Sequence, residues 1–108
     1  MAGQRKIIVG EPLTANNGSP DSLYTLRSQA DIPPGSRFMT IECLSGTLEI
    51  APVEASASPP NTGSMPTMSP GDTREFGATE WNQQNLYLSG GGGADANFYV
   101  WWEGPELV

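Results

Sequence analysis

The amino-acid sequence predicts an all-β fold, a small β-sandwich or jelly roll of about seven to eight antiparallel strands. Three observations favour this fold. Apolar residues recur mostly at every second position, which is the spacing of a strand with one buried face. Gly (13) and Pro (10) are spread through the 108 residues, so no helix longer than about two turns is expected. Turn-forming residues separate the apolar stretches at short intervals.

The alternation also predicts the strands and their buried faces. Strands are expected at residues 5–9, 23–28, 37–44, 47–50, 73–76, 86–88 and 98–102. The side chains expected to face the core are Met39, Ile41 and Cys43, then Leu48 and Ile50, then Leu86 and Leu88, and finally Phe98, Val100 and Trp102. Leu44-Ser45-Gly46 suits a tight hairpin between two of these strands. Pro52 is expected to end or bulge its strand, because it cannot donate to a central ladder.

The chain has the length of a single domain. Residues 1–18 are predicted to form an extended N-terminal arm whose order depends on what it contacts. Residues 19–108 are then one β-sandwich or jelly-roll domain. Ser, Pro, Thr and Gly dominate residues 55–71, which predicts a long exposed loop inside that domain.

Charge and hydropathy argue against two classes of partner. The net charge is −7, and only Arg5 and Lys6 lie next to each other among the basic residues. Binding to a nucleic-acid backbone needs a cluster of Lys and Arg, so no nucleic-acid partner is expected. No apolar run approaches the length of a membrane span, and the N-terminal apolar segment is too short for a secretory signal. We therefore expect a soluble protein made in a reducing compartment, with no membrane partner.

The residue types needed for catalysis or metal binding are scarce. The chain has no His, which excludes Ser-His-Asp triads and imidazole metal sites. Cys43 is the single cysteine, so it is interpreted as a small buried hydrophobe rather than a reactive thiol. Glu42 and Glu49 flank the predicted hairpin, but such a pair is far more often solvated than catalytic. The sequence therefore predicts no enzyme, no cofactor and no metal.

The aromatic C-terminal strand is the strongest candidate for a binding surface. If Leu88 pairs with Phe98 in a hairpin, Tyr87 lies opposite Tyr99, with Trp101 further along the same outward face. One interpretation is that a small sandwich uses both faces of this strand as core. A subunit or partner interface is as reasonable, because interfaces favour Tyr and Trp. A third interpretation is a platform on which sugar rings stack. The predicted interface comprises Tyr87, Tyr99 and Trp101, with Trp81 as a possible extension.

Two short segments resemble half of the cupin pattern. Gly46-Thr47-Leu48-Glu49-Ile50 resembles its glycine-led strand, and Pro70-Gly71-Asp72 its turn into the next strand. The metal-binding histidines of cupins have no counterpart in this chain. The resemblance therefore implies the barrel fold of cupins and argues against their enzymatic activity. A degenerate cupin enzyme would need a bound metal.

Over most of its length the chain resembles the capsid cement or decoration proteins of tailed bacteriophages. The resemblance comprises a His-free β-domain after an N-terminal arm, the turns at residues 34–38 and 70–76, and a Gly-rich loop before a closing aromatic strand. It implies a non-enzymatic virion protein that is assembled in the host cytoplasm and located on the outer capsid surface. Its partners would be the major capsid protein and copies of itself, with a trimer expected. Such proteins stabilise the shell by adding buried contact area.

Two further expectations concern the arm and the competing function. The capsid-anchoring residues are predicted to be Arg5, Lys6, Ile7, Ile8 and Val9, which would add a strand or apolar anchors to the shell. The alternative function is a carbohydrate-binding module or fibre-tip domain that stacks sugars on the same aromatic residues.

Overall fold

The computed structural model describes residues 5–52, 65–77 and 83–105. These residues form eight strands, one turn of α-helix and one turn of 3₁₀-helix. The strands are β1 (Arg5–Ala15), β2 (Asp21–Ser22), β3 (Phe38–Ser45), β4 (Thr47–Pro52), β5 (Thr67–Met68), β6 (Thr73–Gly77), β7 (Leu86–Gly91) and β8 (Ala96–Pro105). The helix α1 is Leu23–Leu26, and the 3₁₀ turn is Gln83–Asn85.

The strand pairings define a jelly roll. The pairs β1–β8, β2–β7, β3–β6 and β4–β5 are all antiparallel, as in one long hairpin folded back on itself. Rolling that hairpin brings β8 beside β3 and β7 beside β4. Two four-stranded sheets result, sheet A with the order β1-β8-β3-β6 and sheet B with the order β2-β7-β4-β5. This is the double-sheet jelly-roll arrangement, so the predicted all-β sandwich is confirmed.

The core lies between the inner faces of the two sheets. Every side chain that the alternation directs inward is fully buried, namely Met39, Ile41, Cys43, Leu48, Ile50, Leu86, Leu88, Phe98, Val100 and Trp102. Leu23, Phe76, Met68, Ala15 and Ala96 complete the cluster, and Leu13, Leu26 and Ile32 pack against its margin. The period-two pattern therefore assigned the buried faces of β3, β4, β7 and β8 correctly.

The predicted hairpin at Leu44-Ser45-Gly46 is wrong. Strand β3 belongs to sheet A and β4 to sheet B, so the turn carries the chain from one sheet to the other. Gly46 has a φ of 78°, and a Cβ at this position would lie 2.7 Å from the carbonyl oxygen of Asp95. A glycine is needed because both the left-handed backbone and the close approach of the neighbouring chain exclude a side chain.

The strand predicted at residues 23–28 is replaced by the helix α1. The Ser22 hydroxyl accepts a hydrogen bond from the backbone N–H of Thr25 at 3.2 Å, which caps the first turn. Leu23 is fully buried and Tyr24 half-buried. A single helical turn thus presents its apolar side chains to the core. The N-cap hydrogen bond of Ser22 favours this turn over the strand that the apolar spacing predicted.

Residues 5–15 of the predicted arm are a strand of the domain. Strand β1 pairs with β8 from Arg5↔Pro105 to Ala15↔Ala96, with a β-bulge at Ile8. The predicted loop at 55–71 also contains a strand, since β5 pairs with β4 and Met65 and Met68 are buried. The part of that loop at 55–64 lies outside the described residues.

Candidate functional site

The outer face of sheet A carries an adjoining pair of aromatic side chains. Strand β8 alternates, so the burial of Phe98, Val100 and Trp102 directs Tyr99 and Trp101 outward, where both are half-buried. Their neighbours on this face follow from the register, with Gly10 and Pro12 on β1 and Thr40 and Glu42 on β3. We call the surface formed by Gly10, Pro12, Thr40, Glu42, Tyr99 and Trp101 the aromatic face.

The two rings are packed together over a glycine. The ring centroids of Tyr99 and Trp101 lie 4.3 Å apart with an interplanar angle of 35°. Gly10 is the cross-strand partner of Trp101. A Cβ on Gly10 would collide with Cε1 of Tyr99 and lie 2.8 Å from Cε3 of Trp101. The absence of a side chain at this position therefore lets both rings lie against the backbone of β1.

Replacing Gly10 with Ala is expected to separate the rings. The added methyl group occupies the space of Tyr99 Cε1, so the rings must turn away from β1. We expect a weaker near-ultraviolet circular dichroism signal and a loss of about 1 kcal/mol in the free energy of unfolding. The matched control is Thr14→Ala, at an outward position of the same strand. An unchanged signal in Gly10→Ala would show that the rings do not depend on the glycine.

A polar ladder and an open groove border the aromatic face. The Thr14 hydroxyl donates to Oδ1 of Asn97 at 2.9 Å, and Nδ2 of Asn97 donates to the Ser45 hydroxyl at 3.0 Å. An open groove of about 520 Å³ runs beside this ladder, lined by Pro12, Leu13, Thr14, Leu44, Ser45, Asn97 and Phe98. On the other side of Trp101, the Thr40 hydroxyl donates to Oε1 of Glu103 at 3.2 Å.

The structure separates the residues that the sequence grouped into one interface. Tyr99 and Trp101 are together in sheet A, but Tyr87 belongs to β7 in sheet B, where it pairs with Ser22 and Ala51. The predicted pairing of Leu88 with Phe98 is wrong, because consecutive strands β7 and β8 lie in different sheets of the jelly roll. Trp81 lies outside the described residues.

The predicted anchoring residues lie at the first half of β1. Ile7, Ile8 and Val9 are 57%, 37% and 41% exposed, among the largest exposures of any apolar side chain in the described ranges. Ile7 pairs with Glu103 and so points to the same side as Trp101, whereas the bulge turns Val9 toward the inner side beside Trp102. Arg5 and Lys6 belong to β1, but the structure describes only their backbone.

An arginine cluster was not predicted from the sequence. The side chain of Arg27 is only 6% exposed and forms an ion pair with Glu11, and its guanidinium carbon lies 4.7 Å from the centre of the Trp102 ring. Its Nη1 donates to Oε1 of Gln83 at 2.8 Å and to the Asp31 carbonyl at 3.1 Å. Glu11, Gln83 and Trp102 lie far from Arg27 in the chain, so no local pattern marks the cluster.

Cys43 and the two glutamates of the predicted hairpin have separate environments. Cys43 is fully buried, and desolvation raises the pKa of its thiol, which suits the predicted role of a small hydrophobe. Glu42 lies on the outer face of sheet A, whereas Glu49 lies in sheet B. They do not form a carboxylate pair. Among the described residues, no group of three or more His, Cys, Asp or Glu is arranged to hold a metal ion.

Fold and surface together define the class of protein: a jelly-roll β-sandwich with an aromatic pair on the outer face of one sheet. Comparisons with protein-family models, with curated proteins and with solved structures found no match. Within the described ranges, no helix has the length and hydropathy needed to cross a membrane.

Proposed function

We propose that this chain is a non-enzymatic structural protein of a virion, a capsid decoration protein that attaches to the outer shell and stabilises it. The observation that carries the proposal is the Tyr99–Trp101 pair on the outer face of sheet A. Aromatic side chains of this kind are enriched at the centres of protein interfaces, because they bury a large area at a small cost in conformational entropy.

Exposed apolar residues on the same side support a docking function. Ile7 extends the aromatic face along β1, and Phe38 is a half-buried neighbour on β3. Contact with a second protein would bury this surface, whereas the net charge of −7 keeps the unassembled protein soluble. The jelly roll is also a recurrent architecture of viral shells. The proposed partners are the major capsid protein and further copies of the chain, with a trimer as the proposed oligomer.

Replacing Trp101 with Ala is expected to weaken assembly. Loss of a central interface tryptophan raises a dissociation constant by about 30-fold. Sedimentation equilibrium over a range of protein concentrations measures self-association, and electron microscopy of shells from the same source, mixed with the protein, measures attachment.

The matched control for Trp101→Ala is Tyr87→Ala, which removes a half-buried aromatic residue from sheet B instead. The proposal requires that the Tyr87 variant assemble like the wild type. If the Trp101 variant sediments and attaches like the wild type, the aromatic face is not the docking surface and the proposed function fails.

Carbohydrate binding is the second candidate, and one observation favours it. The groove of about 520 Å³ brings hydroxyl and amide groups of Thr14, Ser45 and Asn97 beside Pro12, which is the cross-strand partner of Tyr99. A sugar stacked on an aromatic ring needs such hydrogen-bonding groups at its edge. Tryptophan fluorescence with a glycan panel separates the two functions. Sugar binding changes the emission at low protein concentration, whereas assembly depends on protein concentration.

A further inference from the structure

The aromatic face combines exposed rings with negative charge. Glu42 is the cross-strand neighbour of Tyr99, and Glu103 and Glu75 point to the same side of sheet A. No Lys or Arg occurs among the outward residues of sheet A whose side chains are described. In the described part of the chain, the half-buried carboxylate of Glu42 has neither an ion-pair partner nor a hydrogen-bond partner.

The inner side of the same sheet shows how this chain holds an arginine. The Arg27 guanidinium lies over the Trp102 ring and pairs with the carboxylate of Glu11. A guanidinium is planar and weakly hydrated, so it stacks on an aromatic ring while its N–H groups bind a carboxylate. On the outer side, Tyr99, Trp101 and Glu42 offer the same two components, a ring surface and a neighbouring carboxylate.

We propose that the aromatic face binds an arginine side chain of its protein partner, which stacks on Tyr99 and Trp101 and pairs with Glu42. This inference rests on the proposed function and specifies the partner's chemistry: a protein segment that presents arginine. Charge complementarity favours such a segment over a neutral or acidic one, since the chain is strongly acidic and this side of sheet A carries three glutamates.

The test uses the full-length protein and a peptide probe, acetyl-Gly-Arg-Gly-Arg-Gly-amide. Backbone and indole N–H signals are followed by nuclear magnetic resonance during the titration, because this method detects weak binding. The expected result is a set of chemical-shift changes centred on Gly10, Glu42, Tyr99 and Trp101. A peptide with citrulline in place of arginine keeps the shape without the charge and is expected to leave these signals unmoved.

Two charge variants make the test specific. Glu42→Gln is expected to weaken arginine-peptide binding about threefold, the size of effect for one partly exposed ion pair. Glu75→Gln makes the same charge change on the same side of the sheet, about 10 Å from Trp101 by strand spacing, and is expected to bind like the wild type. Circular dichroism confirms that both variants are folded.

Several outcomes would overturn the inference: no shifts with the arginine peptide, equal shifts with the citrulline peptide, or equal losses in Glu42→Gln and Glu75→Gln. If the peptide fails to bind but Trp101→Ala still impairs assembly, the arginine proposal is wrong and the proposed function stands. If Trp101→Ala assembles normally, the proposed function is wrong whatever the peptide does.

Discussion

Replacing Arg27 with Met is expected to lower the free energy of unfolding by about 3 kcal/mol, because the guanidinium is the centre of a buried cluster. Its loss leaves Gln83, which is itself buried, without the donor that its Oε1 accepts from at 2.8 Å. It also removes the ion pair to Glu11 and the cation over the Trp102 ring. Met keeps the apolar stem, so the measured loss reports the polar contacts.

The matched control for Arg27→Met is Arg74→Met. The Arg74 guanidinium also lies over an aromatic ring, 5.3 Å from the centre of Phe76, but this side chain is exposed. Water solvates an exposed guanidinium in both the folded and the unfolded protein, so a loss of no more than about 0.5 kcal/mol is expected. Urea denaturation of both variants measures the difference. Equal losses would show that burial does not strengthen the Arg27 contacts.

The sequence predicted the positions and buried faces of the strands better than it predicted which strands pair. Period-two alternation depends on which side of a strand is buried, so it identified Phe98, Val100 and Trp102 as core. It contains no information about which strands pair. Among the described strands, only β4 and β5 are both consecutive in the chain and paired in a sheet. Pairing between consecutive strands was expected for β3 with β4 and for β7 with β8, and it was wrong in both cases.

The same limitation explains which parts of the candidate site were predicted. Tyr99 and Trp101 belong to one strand, so alternation was enough to bring them to one outward face. Tyr87 was grouped with them through a hairpin that does not exist. Gly10 was not identified at all, since its contact with the two rings depends on pairing between β1 and β8, at opposite ends of the chain.

The two adjacent tryptophans have different roles. The indole of Trp102 is fully buried in the domain's own core, so it needs no partner to shield it from water. Trp101 is half-buried on the outer face and is the one that a docking partner would cover. Variants at Trp101 should affect binding more than folding, and variants at Trp102 should do the reverse.

Replacing Gly90 with Ala is expected to lower the free energy of unfolding by about 3 kcal/mol, because the new methyl group has no space and its neighbours cannot move. A Cβ there would collide with the carbonyl oxygen of Ala94 and lie 3.1 Å from that of Ala15. These are backbone atoms where the chain passes between the two sheets, from β7 to β8 and from β1 to β2. The Gly90 N–H also donates to the Asn16 carbonyl at 2.8 Å, so a shift of β7 would break this hydrogen bond.

Gly91→Ala is the matched control for Gly90→Ala. It adds the same methyl group one residue later in β7, but the nearest atom is Cγ of Glu49 at 3.2 Å, a side-chain atom rather than backbone. A loss of about 1 kcal/mol is expected, since a contact of 3.2 Å needs a much smaller shift than the collision with backbone at Gly90. Thermal unfolding of the two variants measures the contrast. If both lose the same stability, the cost comes from the alanine itself, and close packing at the sheet crossing does not explain the glycine at position 90.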